Sequence, residues 1–211
     1  MKKLTILAFA AAALCGSAQA SVIKIETASA TSPFLGSAAA YLSAVDSALL
    51  DASYASQLVG SYDSISHQAL FGGNSNFAFK STIQFSLAAA TSMAVRAGVD
   101  FGFGGAMFID GVAVDFKSND MWWSGNYSNP SQFLAGAGAL AAGNHTVTIV
   151  GFEGCCDGAQ QVQFQQAGGN WTSFAGTDGL NGVVPEPASI ALLLTGVGLI
   201  GASRRRKTPQ A

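Results

Sequence analysis

The chain has 211 residues, of which only 10% are charged, with 25 Gly, 14 Phe and a formal net charge of −2. Six of its ten cations sit at the two ends, so residues 21–184 carry four (Lys24, Lys80, Arg96, Lys117) against eleven acids. An acidic, charge-poor domain argues against nucleic acid and anionic membrane surfaces as partners, and is compatible with neutral sugars or a bound cation.

In chain order, Lys2 and Lys3 precede an apolar stretch from Leu4 to Leu14, and Ala18-Gln19-Ala20 offers small residues for cleavage before Ser21. This is the pattern of a secretory signal peptide over residues 1–20, which implies export through the Sec machinery. Acylation at Cys15 as a lipoprotein would call for a small residue before the cysteine, and Leu14 occupies that place. The ~160 residues that follow, 21–183, suffice for one extracellular domain with a real core.

From Ser37 to Leu58 the apolar residues Leu42, Val45, Leu49 and Leu58 fall near helical spacing. Ser, Gly and Tyr interruptions leave two readings, a helix packed on the domain or a loop-rich segment. After it the period becomes two. Phe77, Phe79, Ile83, Phe85 and Leu87 alternate with wetter positions, and Met93, Val95, Ala97, Val99 and Phe101 repeat the pattern. Met107 to Phe116 reads as a hairpin about Asp110-Gly111, since Asp-Gly between apolar runs signals a tight turn. His145 to Phe152 and Gln160 to Gln166 are expected to form a further strand pair, joined by Glu153-Gly-Cys-Cys-Asp-Gly158. With Gly-rich turns throughout, the expected fold is all-β, an antiparallel, jelly-roll-like β-sandwich, with the N-terminal helix as an optional addition.

Three features offer chemistry. Met121-Trp122-Trp123 and Asn126-Tyr127 lie in a Gly, Ser and Asn-rich loop. Aromatic faces beside amides suit stacking on sugars, which makes Trp122, Trp123 and Tyr127 ligand-binding candidates, with Asp157 beside the cysteine pair as a further one. The alternative is that one Trp caps the core edge while the other lies on the surface. Trp171 is expected to close the final strand. Cys155 and Cys156 are the only cysteines beyond the signal segment, so in an oxidising compartment they pair with each other or with another chain. Adjacent Cα atoms are ~3.8 Å apart, below the usual ~4.4–6.8 Å of disulfides, so a vicinal bridge is a strained ring. It would serve as a loop clip, as a flat surface for a sugar ring, or, less well without neighbouring His, as a metal ligand pair. The acids Asp100, Asp110, Asp115, Glu153 and Asp157 supply hard oxygen on loops, which suits calcium, with Asp100 and Asp110 the candidate ligands. None follows EF-hand spacing, and Asp in an Asp-Gly turn ordinarily serves the turn.

Catalysis has little support. His67 and His145 are the only histidines, and no nucleophile elbow, His-x-Glu motif or Gly-rich phosphate loop is present. Paired acids hydrolyse glycosides only at set separations, which a sequence does not reveal.

The last thirty residues place Pro185-Glu186-Pro187, an uncharged run from Ala188 to Ala202, and Arg204-Arg205-Arg206-Lys207 in that order. As a helix the run spans roughly 22 Å, short of the ~30 Å hydrocarbon core. The following cations favour a cytoplasmic C-terminus, and the prolines detach the segment from the domain. Residues 184–207 resemble the tripartite tail of PEP-CTERM proteins, and Glu153 to Gly158 resembles the CCXG subgroup. That resemblance implies recognition by an exosortase, transient membrane anchoring through the C-terminal helix, and delivery to the cell surface or extracellular matrix. A plain C-terminal anchor is the simpler alternative.

Asp100, Met107-Phe-Ile-Asp-Gly-Val112, Leu140 to Val150 and Gln161-Val-Gln-Phe164 are similar to motifs of the carbohydrate-binding sandwich of bacterial protective antigens and yeast adhesins. That family's calcium loop uses consecutive aspartates, where this chain has Asp100 alone. The combined expectation is a non-catalytic, exported protein that associates with exopolysaccharide. A structural surface protein without a ligand is the second reading and a glycosidase the third.

Overall fold

The two-residue periodicity distributes the strands between two antiparallel sheets that face each other across an apolar core. The computed structural model describes residues 21–182, so the signal segment and the sorting tail lie outside the described residues. In chain order the elements are β1 (Val22–Ser29), α1 (Ala38–Ala48), β2 (Ala55–Val59), α2 (His67–Phe71), β3 (Phe77–Leu87), β4 (Thr91–Gly98), β5 (Asp100–Phe101) and β6 (Gly105–Ile109). They continue with β7 (Val112–Lys117), β8 (Met121–Trp122), β9 (Leu134–Leu140), β10 (Gly143–Glu153), β11 (Gln161–Gln166) and β12 (Thr172–Ser173). One sheet has the order β2-β1-β3-β10-β6-β7, the other β12-β11-β4-β9, and β5 pairs with β8 as a short ladder at one end.

The core is what the alternation predicts. Ile23 and Ile25, Phe79, Ile83 and Phe85, Val147 and Ile149 from the larger sheet meet Met93, Val95, Val162 and Phe164 from the smaller one. Fully burying one such side chain is worth ~1.5–3 kcal/mol. The exposed Lys80–Asp46 ion pair at 2.7 Å is worth ~1 kcal/mol at most, so packing holds the fold.

Residues 37–58 resolve into two elements. Ser37 caps α1, its Oγ accepting the Ala40 N–H at 3.2 Å, and the helix stops at Ala48. Its buried stripe is Ala38, Tyr41 and Val45, packed against Ala78, Ala106, Phe108, Val150 and Phe152 on the outer face of the larger sheet. That contact explains why β3 and β10 are buried on both faces over much of their length. Leu58 lies on edge strand β2, two-thirds exposed, outside the helix.

The Asp110-Gly111 turn is a two-residue hairpin loop, with φ of 50° and 77° and Ile109 opposite Val112. A different arrangement replaces the expected β10–β11 hairpin. β10 has β3 on one side and β6 on the other, whereas β11 pairs with β4 and β12. Both edges of β10 are filled, so the chain after Glu153 must cross to the other sheet, carrying Cys155 and Cys156 over the end of the sandwich. The stretch from Met93 to Phe101 likewise divides after Gly98, β4 staying in the small sheet while β5 pairs with β8. Among the described residues no helix is long and apolar enough to cross a membrane.

Candidate functional site

The two-residue ladder of β5 and β8 organises one end of the sandwich. Asp100 stands opposite Trp122, and Phe101 opposite Met121. Alternation then sends Phe101 and Met121 into the core, both fully buried, and leaves Asp100 and Trp122 on the other side. There they line a pocket of about 750 Å³ with Glu153, Asp120, Phe103 and the Cys155–Cys156 pair. The two sulfurs are bonded, with the Cα atoms 3.7 Å apart and Cys156 in the left-handed region at φ 75°.

Close packing sets the pocket floor. Phe101 lies over Gly151 and Gly105, which face each other on β10 and β6, and a Cβ on either glycine would collide with its ring. Glu153 is held by backbone: Oε2 accepts the Gly102 N–H at 2.6 Å and Oε1 the Cys155 N–H at 2.7 Å. It ties the turn after β5 to the disulfide loop. Burial nevertheless keeps the Glu153 carboxyl above its ordinary value, against those N–H donors. Asp100, 5% exposed, is pushed up to about 7, first by burial and then by the charge of Glu153, with an opposing hydrogen bond from the Gly158 backbone. A carboxyl perturbed that far, inside a cleft, marks a functional-site candidate.

The other sequence candidates are dispersed. Trp122 is 65% exposed at the pocket, while Trp123 is buried, lying flat against Gly98 and tilted at 47° to Tyr127 with ring centroids 5.4 Å apart. Tyr127 packs away from the pocket, its hydroxyl donating to the Gln161 carbonyl at 2.9 Å, and burial pushes its pKa up to about 12. Asp157 accepts the Gln68 N–H at 2.8 Å at the start of α2 and so braces that turn. Trp171 precedes β12 and lies over Arg96.

Asp110 and Asp100 do not meet. Asp110 Oδ1 accepts the Thr146 N–H at 2.8 Å and Oδ2 sits 2.7 Å from His145 Nδ1, at the opposite end of β10 from Glu153. Seven residues of strand separate the two ends, roughly 23 Å at ~3.3 Å each. Among the described residues no group of three or more His, Cys, Asp or Glu is arranged to hold a metal ion. Each Glu153 oxygen already accepts one backbone N–H. Pro185, Glu186, Pro187 and Arg204 to Arg206 lie outside the described residues.

Sequence reasoning did not single out Asp120, Phe103 or Asn76, which complete the pocket wall. Asn76 carried a signal of a kind, since Asn is among the few residues that accept the positive φ of 54° found there.

Comparison with known proteins agrees with both halves of this picture. Residues 183–207 match the PEP-CTERM protein-sorting motif. No curated protein matches the sequence. The fold is similar to the PA14 domain of the antifreeze protein MpAFP (11% identity, TM-score 0.51, 81% of this chain and 94% of that one). It is also similar to the epithelial adhesin 9 A domain of Candida glabrata, solved with Galβ1-3GlcNAc (10% identity, TM-score 0.51, 79% of this chain and 91% of that one). At such identities the likeness is one of fold. The chain therefore carries a PEP-CTERM sorting motif behind a β-sandwich of PA14-like fold.

Proposed function

We propose that this exported, surface-sorted protein is a non-catalytic polysaccharide-binding module, and that the pocket between β5, β8 and the Cys155–Cys156 loop holds a neutral sugar unit of an exopolysaccharide. One observation carries the reading: a largely exposed Trp122 stands beside the buried carboxyl of Asp100 in the wall of a pocket edged by the disulfide. Sugars present both an apolar ring face and a rim of hydroxyls. An indole and a disulfide offer the first a flat partner, and carboxyl and amide oxygens offer the second acceptors. The sorting motif supports a surface location, with an exosortase as the processing partner. The acids around the pocket make an anionic sugar the wrong occupant.

The test is co-sedimentation of the exported protein with its host's exopolysaccharide, for wild type and Trp122→Ala. Because Trp122 is exposed, the variant should keep its thermal stability to about 1 °C. Loss of one aromatic stacking partner should weaken binding about ten-fold. Unchanged retention would remove the pocket from consideration. A calcium chelator forms the second arm, and binding is expected to survive it, since Glu153 is committed to backbone donors.

A further inference from the structure

Away from the loop pocket, the outer face of the smaller sheet carries a second constellation. Arg96 on β4 is opposite Gln163 on β11 and Ala135 on β9. Gln163 Oε1 accepts from Arg96 Nε at 2.9 Å and Nη2 at 2.6 Å, which orients the guanidinium plane. The rings of Tyr127 and Trp171 flank it, with centroids 3.8 and 4.1 Å from Cζ. Arg96 is thus held on three sides.

Charge is what separates this group from ordinary sheet packing. The domain's three lysines all have carboxylate partners: Lys24 with Glu26, Lys80 with Asp46, and Lys117 with Asp115. Among the described residues Arg96 is the one cation with no carboxylate within 4.0 Å, in a segment where acids outnumber cations eleven to four. Asp63 is engaged by Gln161 Nε2 at 2.6 Å, and Asp115, whose Oδ2 accepts the Ala135 N–H at 2.9 Å, is paired with Lys117. Gln163 spends its oxygen on Arg96, which leaves its amide N–H pair, with Nη1, as donors without an acceptor among the described residues. Along the same face lies a shallow hollow of about 360 Å³, lined in part by Ala94, Ala137 and Gln165. Gln165 gives its amide N–H to the Gly169 carbonyl at 2.6 Å, which leaves its oxygen as the acceptor this side chain offers at the hollow.

We propose that this sheet face is a second glycan-contact site, specific for a carboxylate-bearing sugar, such as a uronic acid unit of an acidic polysaccharide. The sugar carboxylate pairs with Arg96 Nη1 and the Gln163 amide, a charge-assisted contact with a preoriented planar fork. The Trp171 edge and the alanine shelf of Ala94, Ala135 and Ala137 accept the ring, and Gln165 takes a hydroxyl. A flat, small-residue shelf flanked by aromatics fits a pyranose chain better than an acidic peptide added along edge strand β9, because the cation stands on the sheet face at inner strand β4. This site is independent of the loop pocket and has the opposite charge preference.

The experiment measures binding of the purified exported protein to polygalacturonate, to the same polymer with its carboxyls methyl-esterified, and to poly-glutamate. The free-acid polymer should bind about ten-fold more tightly than either of the others, and Arg96→Gln should remove that advantage. Since Arg96→Gln removes packing as well as charge, the wild-type protein supplies a second readout. On titration with digalacturonate, the NMR resonances of Arg96 Nε–H and the Trp171 indole N–H should shift, while the Trp122 indole N–H should not. Equal binding of acid and ester overturns the proposal. Tighter binding of poly-glutamate replaces the sugar with a protein partner, and a shift at Trp122 instead of Arg96 moves the acid sugar to the loop pocket.

Discussion

Asp100→Asn should make the domain more stable at pH 8, with a melting temperature higher by on the order of 10 °C, and should change it little at pH 4. The carboxyl is 5% exposed and titrates at about 7, held up by burial first and by Glu153 second. In the unfolded chain it would titrate near ~3.9. A folded-state value above the unfolded one means that the group favours folding fully below about pH 4, and that this contribution is lost as pH rises through about 7. The difference is on the order of 4 kcal/mol between the two limits. Asn removes the buried charge and can still accept the Gly158 N–H. The same substitution should weaken sugar binding, because the amide replaces an acceptor-only oxygen pair by one oxygen and one donor. Thermal unfolding from pH 4 to pH 9 checks it: the wild type loses more stability across the window than the variant, in which Glu153 still titrates above its ordinary value. A variant less stable than wild type at pH 8 would mean that the Asp100 charge is compensated in the fold.

The largest loss is expected from Gly151→Ala. The added methyl points into the ring of Phe101, which is fully buried, roofed by the core and bounded on the neighbouring strand by Gly105. Overpacking of that kind costs about 3 kcal/mol, or on the order of 10 °C in a domain of this size. Phe101 adjoins Asp100, so its displacement should also disturb the pocket. Adding Phe101→Leu to the same chain should recover part of the loss, because the smaller side chain vacates the space the methyl needs. If the double variant is no better than the sum of its parts, the two residues are not coupled and the close approach does not hold Asp100 in place.

These expectations rest on features that were unequally legible in the sequence. The strands of Phe77 to Leu87 and Met107 to Phe116 were plain, because alternation and an Asp-Gly turn are local signals that need no partner. The β-sandwich followed from them. Which strand lies beside which was not legible. His145 to Phe152 and Gln160 to Gln166 are adjacent in sequence, yet the first is already flanked by β3 and β6, so the connection leaves the sheet instead of folding back. Helix α1 was half legible, since its apolar spacing was visible but its anchor, Tyr41, is aromatic and polar-tipped. The Tyr41 hydroxyl donates to the Phe103 carbonyl at 2.8 Å and accepts the Leu35 N–H at 3.1 Å.

The candidate site shows the same division. Trp122 and Trp123 are indistinguishable as residues, and only the pairing of Trp122 with Asp100 decides which of them faces the pocket. Asp100 and Asp110 are equivalent in sequence as loop acids, but one has its carboxyl buried at the pocket and the other holds His145 and Thr146 across the far end of the hairpin. The neighbours that make Asp100 unusual, Glu153 foremost, come from a strand fifty residues away. Their approach depends on the glycine pair beneath Phe101, which composition alone records merely as glycine.

The most direct measurement is an NMR titration of the exported protein with a neutral oligosaccharide released from its host's exopolysaccharide, following backbone amides and indole N–H groups. The account predicts that shifts concentrate at Asp100, Gly102, Trp122 and Gly154 to Cys156, with Arg96 and Trp171 unmoved. Shifts elsewhere, or none at saturating sugar, would contradict a sugar pocket between β5, β8 and the disulfide loop.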